Sequence, residues 1–146
     1  MRGKQNAVHK LEDVVELVSN EDVLFAVRRR SIFAVMAVKK TEGIYFSETD
    51  AVNYIYNGIK ALISNDFVQN MILFDDNKCI ADVYGFIFDG KPWYVKFYID
   101  QDDGHLGAVS FHPPEKDLRT AIGKVIKKGD SKWQALVAEI VDQKKR

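Results

Sequence analysis

Three alternating runs in the second half of the chain hold the side chains best suited to moving protons around a phosphate. Across 93–99, Tyr94, Lys96 and Tyr98 alternate with Val95, Phe97 and Ile99. In an extended run such residues point to opposite faces. Across 106–112, Ser110 and His112 oppose Val109 and Phe111. Across 80–88, grouping Val83 with Ile87 leaves Asp82, Tyr84 and Phe86 on the other side. One sheet face would then carry Asp82, Tyr84, Tyr94, Lys96, Tyr98, Ser110 and His112. That set combines an acid, a cation, an imidazole that titrates near neutrality and aromatic platforms, the needs of RNA handling by general acid–base chemistry. The competing reading is packing. Aromatics favour strands in any case, and a histidine before Pro113-Pro114 commonly serves a turn.

Other chemistries find less support. The single cysteine, Cys79, excludes an internal disulfide and a cysteine-built zinc site, and His9 and His105 show no metal-ligand spacing. Asp75-Asp76-Asn77 lacks the downstream glycine and glutamate of a calcium loop. Gly85 and Gly104 lack the companions of a phosphate loop or dinucleotide fingerprint, and no nucleophile elbow is present. No cofactor and no metal are expected. Twenty-one basic residues balance twenty-one acidic ones, so nucleic acid would be held by a local patch rather than by overall charge. Arg28-Arg29-Arg30, Lys39-Lys40 and Lys144-Lys145-Arg146 are basic runs, whereas Asp75-Asp76 and Asp100 to Asp103 are acidic. No apolar run approaches the roughly 20 residues of a membrane span, and the first six residues open no signal-peptide core. A reducing cytoplasm is the expected location, with no membrane partner.

The elements that must position these groups follow from periodicity. Leu11, Val14, Val15 and Val18 predict a helix over 11–18, and 23–40 reads as a largely buried helix ended by Gly43. Ser47 caps the clearest helix, with Val52, Ile55, Ile59 and Leu62 as its buried stripe. Ser64-Asn65-Asp66 is expected to restart a short helical turn carrying Phe67, Val68 and Met71. Strands over 80–88 and 93–99 join through Asp89-Gly90, a strong hairpin signal. A third strand over 106–112 stops at Pro113-Pro114. A helix over 115–128 is expected, with Leu118, Ala121, Ile122 and Val125 inward, then a break at Gly129-Asp130-Ser131 and a last turn or two over 133–141. The fold class is α+β: N-terminal helices packed on a small antiparallel β-meander, with a C-terminal helical extension over 115–146, all in one domain.

The stretch Ile59-Lys60-Ala61-Leu62-Ile63-Ser64-Asn65-Asp66-Phe67-Val68-Gln69-Asn70-Met71, followed by Ala81-Asp82-Val83-Tyr84, Trp93-Tyr94-Val95-Lys96 and Ser110-Phe111-His112, resembles the MqsR toxins. These are bacterial mRNA interferases of the RelE-like fold, each partnered by an antitoxin. The resemblance spans roughly residues 50–115, and the tail beyond Glu115 has no clear counterpart. It implies a catalytic tyrosine at Tyr94, in an intact Tyr-x-Lys context with Lys96. The family's lysine after Ser-Phe is His112 here, the lysine of its Asp-Phe-x-Lys stretch is Gln69, and its glutamine before Asp-Val-Tyr is Ala81. The implied reaction is attack of the substrate's own 2′-hydroxyl on the adjacent phosphate, without a metal. His112, Tyr94 and Lys96 would be catalytic, and Tyr84, Tyr98, Gln69, Asp82 and Ser110 would bind substrate. The implied partners are mRNA, free or on the ribosome, and a cognate antitoxin, with DNA met only through that antitoxin. A non-catalytic RNA-binding or protein-interaction module of the same fold is the alternative. A small structural domain with its sheet covered on both faces is a third.

Overall fold

A computed structural model describes residues 6–19, 27–73, 80–100 and 104–144. In chain order the elements are α1 (Leu11–Ser19), α2 (Arg29–Thr41), α3 (Glu48–Lys60), β1 (Phe67–Ile72), β2 (Ile80–Phe88), β3 (Lys91–Ile99), β4 (Leu106–His112), β5 (Leu118–Arg119), β6 (Val125–Ile126) and α4 (Lys132–Lys144). Strands β1 to β4 form one antiparallel sheet in sequential order, and β5 and β6 form a separate two-stranded ribbon. The class is α+β. Among the described residues, no helix is long and apolar enough to cross a membrane.

Helices α1 to α3 bury one sheet face. Trp93, Val95 and Phe97 of β3, Tyr84 and Phe86 of β2 and Phe111 of β4 share a core with Val14 and Val18 of α1, Val35 of α2, and Ile55 and Ile59 of α3. Trp133 and Ile140 extend that core into α4, which lies along α2. Helix α3 starts where its sequence predicts. The Ser47 hydroxyl accepts from the Asp50 amide at 3.1 Å, and the Asp50 carboxylate accepts from the Ser47 amide at 2.9 Å, a reciprocal cap of two otherwise unpaired donors. Gly58 lets α3 approach the sheet, since a Cβ there would lie 2.7 Å from the Phe111 ring.

Three expected elements differ. Residues 67–71 form strand β1, not helix. The Asp66 carboxylate accepts from the Ile63 amide at 2.9 Å, which closes a single 3-10 turn at Ser64–Asp66 instead of opening a longer helix. The expected helix over 115–128 is the β5–β6 ribbon. Gly123, at φ +90°, turns it. Leu118 and Ile126 are buried, while Ala121, Ile122 and Val125 are exposed, so burial follows the ribbon's pairing and not a helical stripe. The C-terminal extension is therefore ribbon first and helix second, and α4 is longer than the turn or two expected. The expected helix over 23–40 starts only at Arg29. Val27 instead bridges Val109 in parallel, while 20–26 fall outside the described residues. The acidic loop at Asp75-Asp76-Asn77 and Cys79 also lie outside them, as do 101–103.

The β2–β3 hairpin turns through Asp89 and Gly90, both at positive φ (56° and 70°), the pattern of a two-residue type I′ turn. The Asp89 carboxylate accepts from buried Lys39 at 2.6 Å, from Lys91 at 2.8 Å and from the Tyr54 hydroxyl at 2.9 Å. Lys91 also pairs with Glu42 at 2.7 Å. This network pins the hairpin tip to the end of α2. The hydrogen bonds from Lys39 and Lys91 hold the Asp89 carboxyl well below the usual carboxylate range. With the folded pKa depressed, the stabilisation is full at neutral pH and is lost only as pH falls through the acid range. Asp89→Asn should lower stability by about 1–3 kcal/mol at neutral pH, because it removes the negative charge that buried Lys39 meets at 2.6 Å. A reduced urea midpoint at unchanged slope would register it; an unchanged midpoint would remove the network from the fold's supports.

Candidate active site

Strand register decides which side chains meet. Tyr94 of β3 pairs with His112 of β4 and with Gly85 of β2. One row along, Lys96 pairs with Ser110 and Val83, and Val83 with Gln69 of β1. Directly opposed residues share a face. Tyr94, Lys96, Ser110, His112 and Gln69 therefore lie together on the face turned away from α1 to α3, and Tyr98 shares it, its ring over Gly107.

Asp82 and Tyr84 do not join them. They pair with Phe97 and Val95, so β2 has the opposite parity to the one expected, and both side chains point to the helix-covered face. Tyr84 is 1% exposed and stacks on Phe97 with centroids 5.4 Å apart. Asp82 is wholly buried and accepts from the amides of Val8 (2.9 Å) and His9 (2.8 Å) and from the Asn70 side chain (2.9 Å). Both are structural, and their expected contact with substrate is corrected. The run Ala81-Asp82-Val83-Tyr84-Gly85-Phe86 carries apolar residues on either parity, so alternation alone left the choice open. Gly85 lies beneath the β5–β6 ribbon: a Cβ there would lie 2.8 Å from the end of the Leu118 side chain.

His112 lies between two rings. Tyr94 stacks on it at 4.9 Å and 19°, and Trp133 at 6.0 Å and 22°. Its Nδ1–H donates to the Pro113 carbonyl at 2.8 Å, which leaves Nε2 as the proton-accepting nitrogen of the neutral ring. Burial pushes the His112 pKa below its ordinary 6.5; Lys96 and Arg30 act in the same direction, against Glu115 and the Pro113 contact. Lys96 is half-buried, and its pKa is lowered by burial and by Arg28. Burial raises the Tyr94 hydroxyl, so it stays protonated.

Arg28, Arg30, Glu115 and Trp133 complete the cluster and were not expected there. The Arg28 amide donates to the Val109 carbonyl at 3.0 Å, and the Phe111 amide donates to Ser31 Oγ at 2.8 Å. These bonds dock the start of α2 against β4. The first turn of α2 holds no acid and its N-cap residue, Arg28, makes no side-chain cap. Arg29 pairs with Glu48 and Arg30 with Glu115. Among the described residues, Arg28 and Lys96 have no ion pair. The arginine triplet at a helix start was the available signal, since acids belong there. Read as a charge run, it passed for solvated surface. Among the described residues, no group of three or more His, Cys, Asp or Glu side chains is placed to hold a metal ion.

Comparison with known proteins returned no match to a family model and none to a curated protein. The site is read from its own geometry.

Two substitutions separate this site from the core. Phe97→Ala, at a wholly buried position, should cost about 3–5 kcal/mol. His112→Ala should cost about 1 kcal/mol, since the residue is only partly buried. His112 has its folded pKa below the unfolded value, so it favours the folded state fully above about pH 6.5 and loses that contribution as pH falls. Melts of His112→Phe between pH 5 and 8 should show a smaller acid loss than wild type. Equal losses would mean that His112 is not the titrating group.

Proposed function

We propose that the chain is an endoribonuclease that cleaves mRNA by in-line attack of the substrate's 2′-hydroxyl, acting as the toxin of a toxin–antitoxin pair. One observation carries the catalytic part: His112 Nε2, Tyr94 and Lys96 share one face beside Arg28, which has no ion pair among the described residues. The toxin part draws on the resemblance to MqsR proteins from Ile59 to His112.

The chemistry follows from the groups present. His112 Nε2 takes the 2′-hydroxyl proton, and the freed oxygen attacks phosphorus. The bond from phosphorus to the 5′-oxygen breaks, leaving a 2′,3′-cyclic phosphate. The departing oxygen takes a proton from Lys96, whose lowered pKa makes the ammonium a better acid. Arg28 and the Tyr94 hydroxyl offset charge on the phosphate oxygens. His112 standing at the family's lysine position keeps an ionisable group there, and depressing its pKa keeps it a base at pH 7. Gln69 is exposed on the same face, within reach of a strand crossing it, whereas Ser110 is buried there.

A non-catalytic RNA-binding or protein-interaction module is favoured by the balanced charge, by Gln69 and Ala81 standing where the family has lysine and glutamine, and by the ribbon that covers the Gly85 part of this face.

Purified protein on defined RNA tests the proposal. Cleavage should survive a chelator and yield cyclic-phosphate ends. His112→Ala should slow it by roughly 10²–10⁴-fold, and the acid limb of the wild-type rate profile should lie below pH 6.5. Intact RNA under all conditions, with normal growth of an expressing host that lacks an antitoxin, would leave the binding-module reading standing.

A further inference from the structure

The β5–β6 ribbon is fixed beside the candidate site. It follows Pro114, two residues after His112, passes over Gly85 of β2 and turns next to β1. Backbone bonds hold both of its ends. The Gly129 amide donates to the Pro114 carbonyl at 2.9 Å, and the Ala121 amide to the Phe67 carbonyl at 2.8 Å. Between them Leu118 and Ile126 pair across the ribbon and are buried, with Leu118 over Gly85. Gly85 pairs with Tyr94, and Tyr94 with His112. The ribbon therefore lies over the same sheet row that ends at His112.

Its outward side is basic. Glu115 to Lys132 carries six basic residues and three acidic ones, in a chain of zero net charge. All three acids are engaged locally. Glu115 pairs with Arg30 at 3.3 Å, Asp117 accepts from the Lys128 amide at 2.8 Å and pairs with Lys127, and Asp130 accepts from the Lys132 amide at 2.8 Å. Lys116, Arg119, Lys124 and Lys128 are exposed and have no ion pair among the described residues. Alternation turns Arg119 away from the sheet because Leu118 faces it. Lys124 stands beside it at the turn, where its carbonyl accepts from the Thr120 amide at 2.8 Å. Like charges held on a pinned ribbon repel one another, and a polyanion laid along it relieves that repulsion. A strand with one phosphate at His112 carries further phosphates on either side, and the ribbon starts within two residues of that point. An acidic protein segment matches the charge but not this continuity with His112.

We propose that the β5–β6 ribbon is a backbone track for single-stranded RNA, with Arg119 and Lys124 as its main phosphate contacts. Phosphate contacts position a strand without reading its bases, so the track adds affinity for a long strand and no base preference. The inference rests on the reading of the His112 face as an RNA site, and its test separates the two.

A 2′-O-methylated oligouridine lacks the attacking hydroxyl, so its binding to the intact protein can be followed by fluorescence anisotropy without cleavage. Arg119→Gln/Lys124→Gln should weaken it about tenfold at about 50 mM salt. The same pair should lower the slope of log affinity against log salt by about 1.4, at about 0.7 per phosphate contact on a single strand. Lys40→Gln/Lys60→Gln, on α2 and α3, removes the same charge from exposed positions away from the ribbon and should leave both values unchanged. Polyglutamate of equal charge should compete about tenfold less well than RNA, whose charge is denser. A loss confined to the ribbon pair, in a protein that cleaves no RNA, would support the track and overturn the nuclease reading. No binding by the wild type, equal losses in the two pairs, or a loss in neither would overturn the track, even if RNA is cleaved. Polyglutamate competing as well as RNA would assign the ribbon to an acidic protein and overturn it too. Thermal melts matching wild type show that both variants are folded.

Discussion

The candidate site depends on how the outer edge of β4 is closed. An edge strand exposes unpaired amides and carbonyls, which are costly to bury and prone to stray pairing. Here Val27 bridges Val109, the Arg28 amide takes the Val109 carbonyl, and Ser31 accepts the Phe111 amide. Those contacts satisfy part of the edge and fix the position of α2's first turn. Arg28 is thereby held close enough to Lys96 and Tyr94 for its charge to act on both. Ser31 thus ties the first turn of α2 to the backbone of β4 at Phe111.

That docking carries an electrostatic cost. The positive end of a helix dipole disfavours basic residues by a few tenths to about 1 kcal/mol each, and α2 begins with three. Glu48 and Glu115 offset two of them. The third, Arg28, has no ion pair among the described residues and lies beside Lys96, which is itself partly desolvated. An anion between them would relieve both repulsions. Burial meanwhile lowers the proton affinity of both Lys96 and His112.

Much of this was legible in the residues. Strands 80–88 and 106–112 match β2 and β4, and 93–99 lacks only the first two residues of β3, because alternation and Asp89-Gly90 are local signals. The capping residues of α3 are equally local. The shared face of Tyr94, Lys96, Ser110 and His112 followed from parity within β3 and β4. What escaped was non-local. The parity of β2 shows in its pairing with β3 and in the amides of Val8 and His9, 74 and 73 residues earlier, that meet Asp82. Leu118, Ala121, Ile122 and Val125 mimic a helical stripe because two short strands on either side of a turn reproduce that spacing. Arg28 reaches the site through backbone bonds to β4, for which no side-chain pattern exists.

Asp82 has a consequence for how the chain comes together. Its carboxylate is sealed in the core and neutralised by amides of Val8 and His9, 74 and 73 residues earlier. Until that leading segment returns, β2 would have to desolvate a carboxylate with only Asn70 to meet it. The segment around Val8 and His9 is therefore tied to the sheet through β2, and a bulky substitution there would strip a buried carboxylate of its partners.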